Sequence, residues 1–123
     1  MSQGQGFEDL LVWQKSVDLV AKIYQRCQTG ELSKDWEFRD QLQRAAVSVP
    51  ANIAEGYERG SRKEYTQYVM IAKGSVGELR CLLRLASRLK YIQEQTAIQL
   101  IEDSVEIARM LRGLADSLKT PRV

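Results

Sequence analysis

Apolar residues return every three or four positions along four separate stretches of this chain, and nowhere do they alternate with period two for the length of a strand. In the first stretch, about residues 8–28, Leu10, Trp13, Val17, Val20, Tyr24 and Cys27 recur at alternating spacings of three and four and define one helical face. Val12, Leu19 and Ile23 lie beside that face and widen it, which suits a helix with two neighbours. Gly30 is placed to stop it.

The second stretch, about 34–57, opens on Ser33 or Asp35 as N-cap and presents Phe38, Leu42, Ala45, Val49 and Ile53, with Ala46 and Tyr57 flanking. Pro50 lies inside it. A proline in a helix removes one hydrogen bond and clashes with the preceding turn, at about 3 kcal/mol. The apolar period runs through Val49 and Ile53 without slipping, so one kinked helix is expected, closed by Gly56 and Gly60. The third stretch, about 61–90, starts with the capping box Ser61-Arg62-Lys63-Glu64 and carries Tyr65, Tyr68, Ala72, Val76, Leu79, Leu83 and Ala86. Gly74 and Gly77 in its middle are expected to let another backbone approach closely. The fourth, about 94–119, has one seam of Ala97, Ile101, Ala108, Leu111, Ala115 and Leu118 and a second of Leu100, Ile107 and Leu114. Its join to the third helix, at Tyr91-Ile92-Gln93, lacks glycine and proline and must be a tight turn. These four amphipathic segments predict an all-α fold, an antiparallel up-and-down four-helix bundle with a proline kink in the second helix, forming a single domain over 1–123.

The chain has 123 residues, 44% of them hydrophobic and 28% charged, which allows one core without staples. It has no histidine, so Ser–His–Asp and Cys–His catalysis and imidazole–metal sites are excluded. Cys27 and Cys81 stand far apart, outside any C-x-x-C, and each falls in an apolar helical pattern. Both are expected to be buried reduced thiols of a cytoplasmic protein. The polar first six residues lack a signal core, and no apolar run reaches the ~18 residues of a membrane span, so no membrane association is expected.

The net charge is only +2, but it is unevenly placed: residues 61–90 hold seven basic and two acidic residues, whereas 35–60 hold three and five. Lys73, Arg80, Arg84 and Arg88 fall within about 80° of one another on the helical wheel, away from Leu79, Leu83 and Ala86. A row of guanidinium groups about 6 Å apart can face a run of phosphates; equally, it can be a solvated face bridged to a neighbour. A second stripe, Gln41, Arg44, Ser48, Asn52, Glu55 and Arg59, reads either as an ordinary polar face or as an inter-helix or inter-subunit hydrogen-bond network. Other chemistry is missing. Lys73-Gly74-Ser75 has the wrong order for a phosphate loop, and Gly74-Ser75-Val76-Gly77 sits mid-helix, unlike the G-x-x-G of a KH domain. Glu102, Asp103 and Glu106 read as solvated acids, and Ser48 and Ser75 have no base to activate them. No catalytic, metal or cofactor site is predicted.

The run Gln43-Arg44-Ala45-Ala46-Val47-Ser48-Val49-Pro50-Ala51-Asn52-Ile53-Ala54-Glu55-Gly56 resembles the signature of the 23S rRNA intervening-sequence protein family, also known as S23-type four-helix bundle proteins. Phe7, Leu10, Val12 and Trp13 resemble its opening pattern, Arg59 and Ser61 follow the signature, and Ile71-Ala72-Lys73-Gly74-Ser75 with Glu78-Leu79 resembles its third-helix motif. The resemblance spans about Phe7 to Lys119. It implies an up-and-down bundle assembled into a ring-like homopentamer, with Pro50 as a kink rather than a boundary. It implies little about activity. Some members are encoded within insertions in 23S rRNA genes. A similar group, the accessory proteins of diversity-generating retroelements, binds nucleic acid and a reverse transcriptase; those are strongly basic, and this chain, at +2, departs from that pattern.

Two functions follow as expectations. In the first, a non-enzymatic oligomer binds structured RNA or DNA through Lys73, Arg80, Arg84 and Arg88, with Arg44, Ser48, Pro50, Asn52, Glu55 and Arg59 making inter-helix or inter-subunit contacts. In the second, the ring is a scaffold or accessory for a protein partner and has no nucleic-acid binding of its own.

Overall fold

The computed structural model describes residues 6–119. Four helices follow one another: α1 (Leu11–Arg26), α2 (Trp36–Glu58), α3 (Arg62–Arg88) and α4 (Glu94–Lys119), with no strand among the described residues. Around the bundle, α1 packs on α2 and α4, and α3 packs on α2 and α4; α2–α3 and α3–α4 are the closest pairs.

The caps explain the boundaries. Of the two N-cap candidates for α2, Asp35 takes the role and accepts the Phe38 N–H at 3.1 Å, whereas Ser33 donates to the Gly30 carbonyl at 2.7 Å. Ser61 caps α3 by accepting the Glu64 N–H at 3.1 Å, just after Gly60 has turned the chain at φ +88°. Helix α1 is shorter than its apolar period suggests. Phe7–Asp9 form a separate 3-10 turn before it, held by Gln14, whose side-chain amide donates to the Glu8 carbonyl at 2.8 Å. Helix α2 passes through Pro50 as one element, with Val49 and Ile53 both buried.

The glycine-free join between α3 and α4 is a Schellman turn. Lys90 takes the left-handed position usually filled by glycine (φ 63°). Its N–H reaches the Ser87 carbonyl at 3.0 Å, and the Tyr91 N–H reaches the Ala86 carbonyl at 2.8 Å. Tyr91 then stacks edge-on against Phe38, with ring centres 5.5 Å apart, and its hydroxyl donates to Asp35 at 2.6 Å. One end of the bundle is thus tied through the α2 cap. At the other end, Arg62 donates to the Leu118 carbonyl at 2.6 Å.

Two core faces differ from the apolar pattern. Helix α1 buries Val12, Ser16, Leu19, Ile23 and Cys27, while Val17 and Tyr24 of the expected seam stay exposed. The reason is Ser16, which looks polar but satisfies its hydroxyl on the Val12 carbonyl at 2.7 Å and so enters the core. Ser104 does the same in α4 on the Ile101 carbonyl at 2.6 Å, making one face of the two expected seams. The acids expected to be solvated are partly engaged: Asp103 pairs with Lys22 at 3.0 Å and Glu106 with Lys15 at 3.5 Å, linking α4 to α1.

Candidate nucleic-acid interface

The polar stripe of α2 turns toward α3. Ser48 and Ser75 share a hydrogen bond at 2.8 Å, and the Asn52 amide donates to the Ser48 carbonyl at 2.8 Å and to its hydroxyl at 3.0 Å. One turn on, Glu55 pairs with Arg59 at 3.0 Å, and Arg59 reaches Glu64 of α3 at 3.5 Å. The Arg59 guanidinium also donates to the Tyr68 hydroxyl at 2.8 Å and lies over its ring, 5.1 Å from the centre. Its charge is held more firmly than usual, first by Tyr68 and then by Glu55 and Glu64.

Gly56, expected to end α2, lies inside it and is buried. A Cβ there would stand 2.7 Å from Tyr68 Cβ and 3.3 Å from the Tyr65 carbonyl, so the absent side chain sets how closely α2 and α3 approach. Pro50 is half-buried within the same helix, and Arg44 is exposed with no ion pair among the described residues. The glycines expected to admit a backbone, Gly74 and Gly77, have nothing of this chain within 4 Å of a Cβ position.

The basic row of α3 is arranged differently. Arg80, Arg84 and Arg88 are exposed and Lys73 is half-buried, and none of the four joins an ion pair among the described residues. By contrast Lys15, Lys22, Lys34, Arg59 and Arg112 all pair with carboxylates. The row does not point directly away from the core. It follows the boundary with α4, where Arg84 and Arg88 line an open groove with Cys81, Leu85, Ile98 and Ile101.

Arg109 of α4 belongs to this surface and was not singled out in the sequence. Arg62 contacts Leu118 and Leu85 shares the groove with Ile98, so the antiparallel register sets Arg109 level with Lys73. Arg109 is exposed, lies about 20° from Ile98 on the wheel, and has no ion pair among the described residues. Only the pairing of the two helices brings it to the row; a charge count along α3 passes over it.

Like charges four apart on a helix repel by roughly 0.2–0.5 kcal/mol per pair. Arg80, Arg84 and Arg88 form two such pairs and join no ion pair among the described residues. The row therefore works slightly against the helix that carries it.

Cys27 is buried, and burial pushes its thiol up despite a hydrogen bond from Gln43. Cys81, also expected inside, is exposed, because it sits about 100° from Leu82 on the wheel and faces the groove. No group of three or more Cys, Asp or Glu among the described residues could hold a metal ion. No helix among them is long and apolar enough to cross a membrane.

What fold and surface define together is a four-helix bundle protein with a hydrogen-bonded α2–α3 seam and a cationic face on α3–α4 that joins no ion pair among the described residues. The chain belongs to the 23S rRNA-intervening sequence protein family, whose sequence model matches residues 8–113. It is also similar to a solved structure from Bacteroides thetaiotaomicron, a protein with unknown function from the S23 ribosomal protein family. The two share 25% identity with a TM-score of 0.81, over 89% of this chain and 99% of that one. No curated protein matches the chain. Neither description names an enzymatic activity.

Proposed function

We propose that this protein is a non-enzymatic homo-oligomer of the cytoplasm that binds structured RNA or other nucleic acid through Lys73, Arg80, Arg84 and Arg88. The observation that carries the reading is the clustering of these four cations along one face of α3, with no ion pair to any of them among the described residues. A row of exposed guanidinium groups suits phosphate, and with few base-edge donors fixed in place it suits backbone recognition rather than sequence readout.

Assembly is part of the proposal. Two apolar residues that α1 leaves exposed on one face, Val17 and Tyr24, offer a contact for a second copy, and a homopentamer is what the family resemblance implies. Several copies of the row would raise a weak affinity through avidity. Light scattering of the protein at micromolar concentration should give a multiple of 14.0 kDa; a 14.0 kDa monomer would remove the oligomer.

The binding test is fluorescence anisotropy of nuclease-treated protein with an RNA hairpin and a DNA duplex, titrated across salt. Micromolar or tighter binding that weakens steeply with salt is the expected result. Flat anisotropy at low salt would refute it and move the search to a protein scaffold role.

A further inference from the structure

The groove between α3 and α4 carries surface for which a phosphate backbone has no use. Leu85 is 45% exposed and Ile98 42%, and both line it above the buried Ala97 and Ile101. Arg84 and Arg88 form the α3 side, with Arg80 one turn along, and Glu94 stands at the end near the α3–α4 join. No aromatic side chain lines the groove, so it offers no platform on which a base could stack.

From this arrangement we propose that the α3–α4 groove docks an acidic amphipathic helix of a partner protein. A trough between two antiparallel helices accepts a third helix along its length. The exposed aliphatic pair, facing across the groove, calls for a leucine-like anchor seated between them. The unpaired arginines on the rim call for carboxylates flanking that anchor. Glu94 at one end gives the site a polarity, favouring a cation at that end of the incoming helix. The same face of a second copy does not fit, because it would set arginine row against arginine row. The proposal stands apart from the nucleic-acid reading, but Arg84 and Arg88 serve both, so helix and polyanion compete for the face.

Cys81 supplies the test. It is exposed in the groove, while Cys27 is buried, so thiol alkylation reports on this surface. The probe is a synthetic helical peptide of about 18 residues, with leucines on one face and glutamates on both flanks. A control peptide has lysine in place of each glutamate. The acidic peptide should slow maleimide alkylation of Cys81 by about tenfold or more at saturation, and the control should not.

The double variant Leu85→Glu/Ile98→Glu should abolish the protection, and Lys34→Gln, outside the groove, should leave it. Leu85→Ser serves as a milder second variant if the double change lowers helix content. No protection at millimolar acidic peptide, or equal protection by the lysine peptide, would overturn the proposal. So would protection without peptide that disappears on dilution, which would assign the groove to a second copy. An RNA hairpin that protects Cys81 equally in wild type and in Leu85→Glu/Ile98→Glu would assign the groove to nucleic acid instead. Failure of the peptide leaves the salt-dependent anisotropy unaffected, so the two readings fail separately.

Discussion

Along the α2–α3 seam, Ser48, Asn52, Glu55 and Arg59 all find partners within the chain, and Gly56 draws the two backbones together. Along the outer face of α3–α4, Lys73, Arg80, Arg84, Arg88 and Arg109 have no ion pair among the described residues, and Leu85 and Ile98 lie open between them. One helix, α3, borders both regions. The contrast separates two kinds of polar residue that look alike in sequence. The conspicuous motif of α2 is occupied by packing; the plainer row of α3 joins no ion pair among the described residues.

The largest effect that would break this comparison is expected at Gly56. Gly56→Ala should destabilise by about 2 kcal/mol, lowering Tm by roughly 8 °C, because a Cβ 2.7 Å from Tyr68 Cβ forces α2 and α3 apart. Gly77→Ala, on the open side of α3, should instead stabilise by up to ~1 kcal/mol through helix propensity. Equal Tm values for the two variants in a thermal melt would erase the distinction between seam and face.

Ser48→Ala should cost about 1 kcal/mol in a urea titration, since Ser75 and Asn52 lose a shared partner. A midpoint unchanged from wild type would mean that the polar contacts of the seam are incidental.

Arg84→Gln should raise stability by a few tenths of a kcal/mol, by removing both like-charge pairs with Arg80 and Arg88, while weakening polyanion binding. A loss of stability there would show the arginine to be paired after all.

The smallest effect concerns pH. The Tyr91 hydroxyl, and then the Phe38 N–H, hold the Asp35 carboxyl below its ordinary 3.8. That stabilisation is present above 3.8 and fades as pH falls through the lower folded value. Asp35 in turn pushes the Tyr91 phenol above its ordinary 10.0, so its share is present below 10.0 and fades as pH rises through the raised value. Tyr91→Phe should move the acid limb of a Tm-against-pH curve toward higher pH; coincident curves would show the contact to be without effect.

Much of the fold was legible because its signals are local. Asp35, Ser61 and Gly60 mark helix ends by their own chemistry, and the period of α2 carries through Pro50. The core face of α1 was only partly legible: Val12, Leu19 and Ile23, read as its flank, are its centre. Leu10, Trp13, Val17, Val20 and Tyr24 make a cleaner apolar seam than Val12, Ser16, Leu19 and Ile23, and only a backbone acceptor one turn back lets Ser16 inside. Cys81 was misplaced for a related reason: a small residue carries little information about which side of a helix is covered. At the candidate site the α3 row was readable from one helix alone, whereas Arg109 and the Leu85–Ile98 groove required two. The α2 stripe left a network and an ordinary polar face equally open, and Gly56 decides its geometry by the side chain it lacks.

The most direct measurement is the salt dependence of duplex binding by wild type and by Arg80→Glu/Arg84→Glu/Arg88→Glu, compared by anisotropy. If the row meets phosphates, the slope of log affinity against log salt should flatten by about 3 and binding should fall at least ~100-fold, with the helix content kept. An unchanged slope and affinity would contradict the central proposal that the α3 row meets phosphates.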